Sequence, residues 1–93
     1  MTLHIAGLFP LGRIVATHNA MHSIPDTEMQ TALRRHHNGD WGDVSADDKA
    51  QNVAALSHGQ RILSAYSTAT GTRFWIITEA DRSATTVLLP DEY

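Results

Sequence analysis

Two β-branched, strongly apolar runs close the chain, Thr72–Glu79 (TRFWIITE) and Ala84–Leu89 (ATTVLL), with a short polar turn between them. In the first run Phe74 and Ile76 alternate with Trp75 and Ile77, so both faces of the strand are apolar. A strand of that kind sits inside a sheet with material on both sides, at least in part. Pro90 ends the second run because it cannot donate to a ladder. Arg61–Thr68 is a third strand, joined to the first run by a hairpin loop, Ala69-Thr70-Gly71, with the glycine such a loop favours.

Upstream, the pattern changes to helical. Met29, Ala32, Leu33 and His36 recur at i, i+3, i+4, i+7 along a helix from Asp26 to Asn38. Pro25, acidic residues in the first turn, Arg34 and Arg35 near the end, and Gly39 as a stop all support it. A second helix, Ala46–His58, starts at a box-like Ser45/Asp48 pair, is expected to pack through Ala50, Val53, Ala54 and Leu56, and stops at Gly59. Residues 18–23 suggest a single helical turn, and Leu11–Thr17 (LGRIVAT) a short strand. The expected fold is therefore α+β: one small domain over residues 11–93, in the order β-α-α-β-β-β, with two helices on an antiparallel sheet of three to four strands. Residues 1–10 read as an irregular lead-in.

Composition excludes several classes of function. Ninety-three residues hold one core, and the absence of cysteine removes disulfides, thiolate metal sites and cysteine nucleophiles. Packing must supply the stability, and homodimerisation is an open route to more of it. A net charge of −3 does not give the basic field that nucleic-acid binders carry, so nucleic acid is not the favoured partner. The apolar N-terminus lacks a basic n-region and is broken by Pro10 and Gly12, which fits neither a signal peptide nor a membrane span; the expectation is a cytoplasmic protein.

Two constellations carry the polar chemistry. In His36-His37-Asn38-Gly39-Asp40-Trp41-Gly42-Asp43, His37 beside Asp40 and Asp43 has the parts of a general acid or base. The same residues also read as an interhelix loop with Trp41 plugging the edge of the core and His36 packed inside. In the second, Glu79, Asp81, Arg82, Ser83, Thr85 and Thr86 surround the last turn; Arg82 can clamp an anion, or serve turn chemistry with its acidic neighbours. Arg61 and Tyr66 lie on the adjacent strand. No cofactor loop or metal motif is readable: His18 and His22 are spaced i, i+4 without a third ligand.

The segments LGRIVAT, HHNGDWGD, GQRILSAY and GTRFWIITEADRSATTVLLPDEY together resemble a family of short uncharacterised "plasmid-related" proteins carried on plasmids, integrative conjugative elements and phages. The resemblance spans residues 11–93 and implies a mobile-element setting without implying a reaction. A restriction-modification label sometimes attached to that family has no support in the residues, since neither a methyltransferase loop nor a nuclease metal cluster is readable.

Two functions follow as expectations. The first is an accessory protein that binds a protein partner, such as a host defence component of the kind met by anti-CRISPR or antirestriction proteins. Its expected contacts are Asp40, Trp41, Asp43, Tyr66, Glu79, Asp81, Arg82 and Ser83. The second is a metal-independent ribonuclease, motivated by an element order similar to RelE-like and barnase-like enzymes, with His37, Arg61, Arg82 and Thr85 as catalytic candidates. A discriminating observation is whether His37, Asp40, Arg61 and Arg82 converge in one cleft.

Overall fold

The structure, a computed structural model, describes residues 7–93. The expected lead-in is therefore described only from Gly7, and residues 7–12 form no regular element. The elements are β1 (Arg13–Ala16), α1 (His18–Ser23), α2 (Asp26–His37), α3 (Ala46–His58), β2 (Ile62–Ser67), β3 (Arg73–Thr78), β4 (Ala84–Leu88) and a C-terminal 3-10 turn (Pro90–Glu92). Each helix starts where local chemistry supplies a cap or a fixed φ. The Thr17 hydroxyl accepts from the Ala20 N–H and the Ser45 hydroxyl from the Asp48 N–H, while Pro25 precedes α2. Gly59, in the left-handed region, ends α3.

The strands form one sheet in the order β1-β4-β3-β2. β2, β3 and β4 pair antiparallel, as expected. β1 runs parallel to β4, so the sheet is mixed rather than antiparallel. The physical reason lies in the connection: everything from α1 to β3 intervenes between β1 and β4, which is ample chain for a crossover and far more than a hairpin needs. Gly12 makes the parallel entry feasible. It has φ +63°, and a Cβ there would collide with the carbonyl oxygens of Arg82 and Ser83, whose turn it passes.

Alternation divides the sheet into two unlike faces. One carries Tyr66, Phe74, Ile76 and Val87, and the helices cover it through Ala20, Ile24, Ala32, Met29 and Leu33. A second cluster, Phe9, Trp41, Ala55 and Ile62, fills the end near α3. The other face carries Leu63, Ala65, Trp75, Ile77, Thr86 and Leu88, as the strand register requires. Among the described residues, its groove is lined by strand residues and their flanks and by Tyr93, and by no residue of a helix. Among the described residues, no helix is long and apolar enough to cross a membrane.

Candidate functional site

The structure distributes the two polar constellations among internal supports. His36 is fully buried, as its place in the helical period predicts. Its Nδ1 lies 2.6 Å from Ser64 Oγ and its Nε2 2.8 Å from Thr78 Oγ1. Thr78 Oγ1 is 2.7 Å from Thr85 Oγ1, which donates to the Leu11 carbonyl at 2.7 Å. That carbonyl can only accept, so the direction of the whole chain is determined. Thr85 donates to Leu11, Thr78 donates to Thr85, His36 donates from Nε2 to Thr78, and Ser64 donates to Nδ1. His36 is thus a neutral Nε2–H tautomer. Burial, aided by the charge of His37, lowers its pKa to about 3. A histidine so enclosed orders α2 against three elements and has no access to a substrate.

The Trp41 loop is equally committed. Trp41 is 5% exposed and packs beside Phe9 and His36, so it offers no surface to a partner. Gly42 has φ +74°, and a Cβ there would strike the Ala65 carbonyl and the Tyr66 ring. The Arg35 guanidinium clamps Asp40 through two bonds, Nε–Oδ2 at 2.7 Å and Nη2–Oδ1 at 3.2 Å, and lies over the Tyr66 ring. That hydrogen bond holds the Asp40 carboxyl below its usual range. Tyr66 donates to the Asp40 carbonyl at 2.6 Å, and burial pushes its phenol up to about 12. Asp43 reaches Arg73 at 3.4 Å in an exposed pair. His37 lines a separate shallow groove with Gly7 to Pro10.

Arg82 serves as a helix-end cap. Its guanidinium donates to the Ala55 carbonyl at 2.8 Å and to the carbonyls of Gln60, Glu79 and Ala80. Those partners include the C-terminal end of α3, where a cation is favoured. Its own φ of +62° is unusual for a residue other than glycine. Asp81 and Ser83 form an Asx turn, with the Ser83 N–H donating to Asp81 Oδ1 at 3.0 Å. The Asp81 carboxyl is held low, first by the Ser83 hydroxyl and then by that N–H. Thr85 is buried in the His36 chain. His37, Asp40, Arg61 and Arg82 therefore do not converge in one cleft.

What does come together lies on the face that no helix covers among the described residues. Extending the Ile62–Thr78 register by one step places Arg61 opposite Glu79, and both line a groove of about 310 Å³ with Ile77, Thr86, Leu88 and Tyr93. Arg61 and Glu79 are not ion-paired; the pairs among the described residues are Arg35–Asp40 and Arg73–Asp43. Arg61 instead sits over the Tyr93 ring at 5.1 Å, a cation–π distance, and Tyr93 meets Trp75 edge-on at 5.7 Å. Tyr93 is 65% exposed. Glu92 positions it by accepting from Thr17 Oγ1 at 2.7 Å, from Asn19 Nδ2 at 3.0 Å and from the Leu89 N–H at 2.8 Å. Those bonds, the Leu89 N–H first, hold the Glu92 carboxyl low. The groove thus offers an apolar floor, an aromatic wall, and one cation and one carboxylate that form no ion pair among the described residues.

Alternation in the sequence sets Glu79 on one face with Trp75 and Ile77, and Arg61 lies on the adjacent strand, but nothing local joins Tyr93 to them. The available signal was parity: Trp75, Ile77 and Glu79 share a face, and the hairpin length sets which β2 residues join them. Among the described residues, no group of three or more histidine, aspartate or glutamate side chains could hold a metal, although the His18 and His22 rings do meet at 4.7 Å. Comparison of the chain with protein families, curated proteins and solved structures yields no match.

Proposed function

We propose that the protein is a non-catalytic binding module that docks a protein partner on the open face of its sheet. The observation that supports this is the grouping of Arg61, Glu79, Trp75 and Tyr93 around the exposed edge of an apolar floor formed by Ile77 and Leu88. Tryptophan, tyrosine and arginine dominate binding hot spots because they bury large area while retaining a polar handle. In the mobile-element setting implied by the family resemblance, the partner is a cytoplasmic component of a host defence system, and binding inhibits it. A ribonuclease has less support. Of its four candidates, Thr85 is buried, Arg82 is engaged by carbonyls and His37 lies in another groove; only Arg61 lines the open face.

The test is affinity capture of a partner from host cells, followed by calorimetry with purified components. Arg61→Glu and Trp75→Ser should each weaken binding by about 2 kcal/mol or more, the range of a hot-spot residue. His37→Ala should bind as the wild type does. Equal binding by all three variants would exclude the open face as the contact surface.

A further inference from the structure

The two edges of the sheet are treated differently. At the β2 edge, the Asn52 side chain bonds both backbone groups of Leu63, donating to its carbonyl at 2.7 Å and accepting from its N–H at 3.1 Å. The next outward residue, Ala65, is paired with the loop: its N–H donates to the Trp41 carbonyl, and its carbonyl accepts from the Asp43 N–H. That edge is closed to further strands. At the opposite edge, the Arg13 N–H donates to the Ser83 carbonyl and the Thr17 N–H to the Val87 carbonyl, so residues 13, 15 and 17 turn their backbone groups toward β4. By alternation, the backbone groups of Ile14 and Ala16 point away from the sheet. Ile14 is also 52% exposed. Native proteins usually cover or blunt such an edge.

Beside this edge lies a groove of about 250 Å³ between β1 and the first two helices, lined by Ile14, Met21, Ile24 and Met29, with Asp26 as its charged residue. Met21 is 65% exposed. Two methionines in the wall suit a pocket that adapts to different apolar side chains. We infer that the β1 edge is a strand-addition site for an extended segment of a protein partner. The segment pairs with the backbone of Ile14 and Ala16, places an apolar side chain in the methionine-lined groove and directs a basic side chain on the same face toward Asp26.

Charge complementarity selects this occupant over a second copy of the chain. In a copy, Ile14 and Ala16 would face the groove, while Arg13 points to the opposite face of the sheet, so the copy's β1 brings no cation to Asp26. Its strand is also only four residues long, between Gly12 in the left-handed region and the start of α1. An added peptide gains from both the ladder and the groove, the recognition mode in which backbone bonds give affinity and side-chain pockets give selectivity.

The probes are two synthetic peptides, TVTRTVT and TVTETVT, which differ only in the central charge. Each is titrated into the labelled full chain, to about 1 mM, while amide shifts and hydrogen exchange are followed. The arginine peptide should shift the Ile14 and Ala16 amides and slow their exchange. The glutamate peptide should bind roughly threefold to tenfold more weakly. Asp26→Asn should remove most of that preference while leaving the shifts at Ile14 and Ala16. Unperturbed Ile14 and Ala16 amides, or equal binding of the two peptides, would overturn the inference. So would protection of those amides in the free protein with a dimer mass by light scattering, because a second copy would then occupy the edge. This site is separate from the Trp75 groove, so its failure leaves the proposed docking on the open face standing, and the reverse holds.

Discussion

Lowering the pH should destabilise the fold through His36 before most carboxylates are protonated. His36 is neutral in its closed hydrogen-bond chain, with its pKa lowered to about 3 from an ordinary 6.5. Between those values the unfolded chain binds a proton at this position and the native chain does not. Stability therefore rises with pH across the window: the contribution is complete above 6.5 and is lost as pH falls toward 3. Well below 6.5 each pH unit is worth about 1.36 kcal/mol, so acidification from neutral pH to about 4.5 removes roughly 2–3 kcal/mol. That is a large share of the ~5–15 kcal/mol that holds a domain of this kind. Protonation also needs a second donor at Nδ1, where Ser64 already donates, so the charged ring disrupts the chain as well as lacking solvent. The assay is urea denaturation across pH 4.5–8, comparing the wild type with His36→Gln. The variant should be destabilised at neutral pH by about 1–3 kcal/mol, as its amide cannot span the same partners, and its stability should fall less steeply with acid. The difference between the two curves cancels the contributions of Asp40, Asp81 and Glu92. A pH-independent difference, or an NMR titration placing His36 near 6.5 in the folded protein, would refute the reasoning.

Other outcomes follow from the same contacts. Arg82→Ala should lower stability by about 1–3 kcal/mol in chemical denaturation, because the carbonyls at the end of α3 lose a charged donor, and any residual binding activity should persist in the folded fraction. Gly42→Ala should cost about 1–3 kcal/mol or more from positive φ alone and further destabilise through collision with the Ala65 carbonyl; a melting temperature within a degree of wild type would contradict the loop geometry. Thr78→Val keeps the shape of the core but leaves the His36 Nε2–H unpaired, at a cost of about 1–3 kcal/mol, and should move the imidazole nitrogen shifts away from a pure Nε2–H tautomer.

Local signals in the sequence were sufficient for the bounds of the helices and for most of the sheet, but not for the packing face of α3: Ala50, Val53 and Ala54 are exposed, and Asn52 and Ala55 are the residues it buries. Ser45 and Gly59 bracket α3 at Ala46–His58, where it is found, because a cap hydroxyl and a left-handed glycine act within one turn. Alternation in TRFWIITE likewise places Thr78 with Phe74 and Ile76, and Glu79 with Trp75 and Ile77. What was not legible depends on contacts between distant positions. His36 meets Ser64 and Thr78 across separations of 28 and 42 residues, and no local pattern marks those hydroxyls as its partners. Arg82 has acidic neighbours in sequence, yet its guanidinium turns to backbone carbonyls that only the packed end of α3 supplies. The parallel placement of β1 was hidden for the same reason, since strand direction depends on the path of the intervening chain. The unclaimed polar groups consequently lie beside the prominent motifs, on the face opposite the helices.

Site-specific photo-crosslinking in host cells tests the central claim most directly. A crosslinking residue placed at Thr86, on the open face beside Arg61 and Glu79, should yield a discrete adduct with one protein, whereas the same residue at Val53, exposed on α3, should not. Adducts at Val53 or His37 with none at Thr86 would contradict docking on the open sheet face.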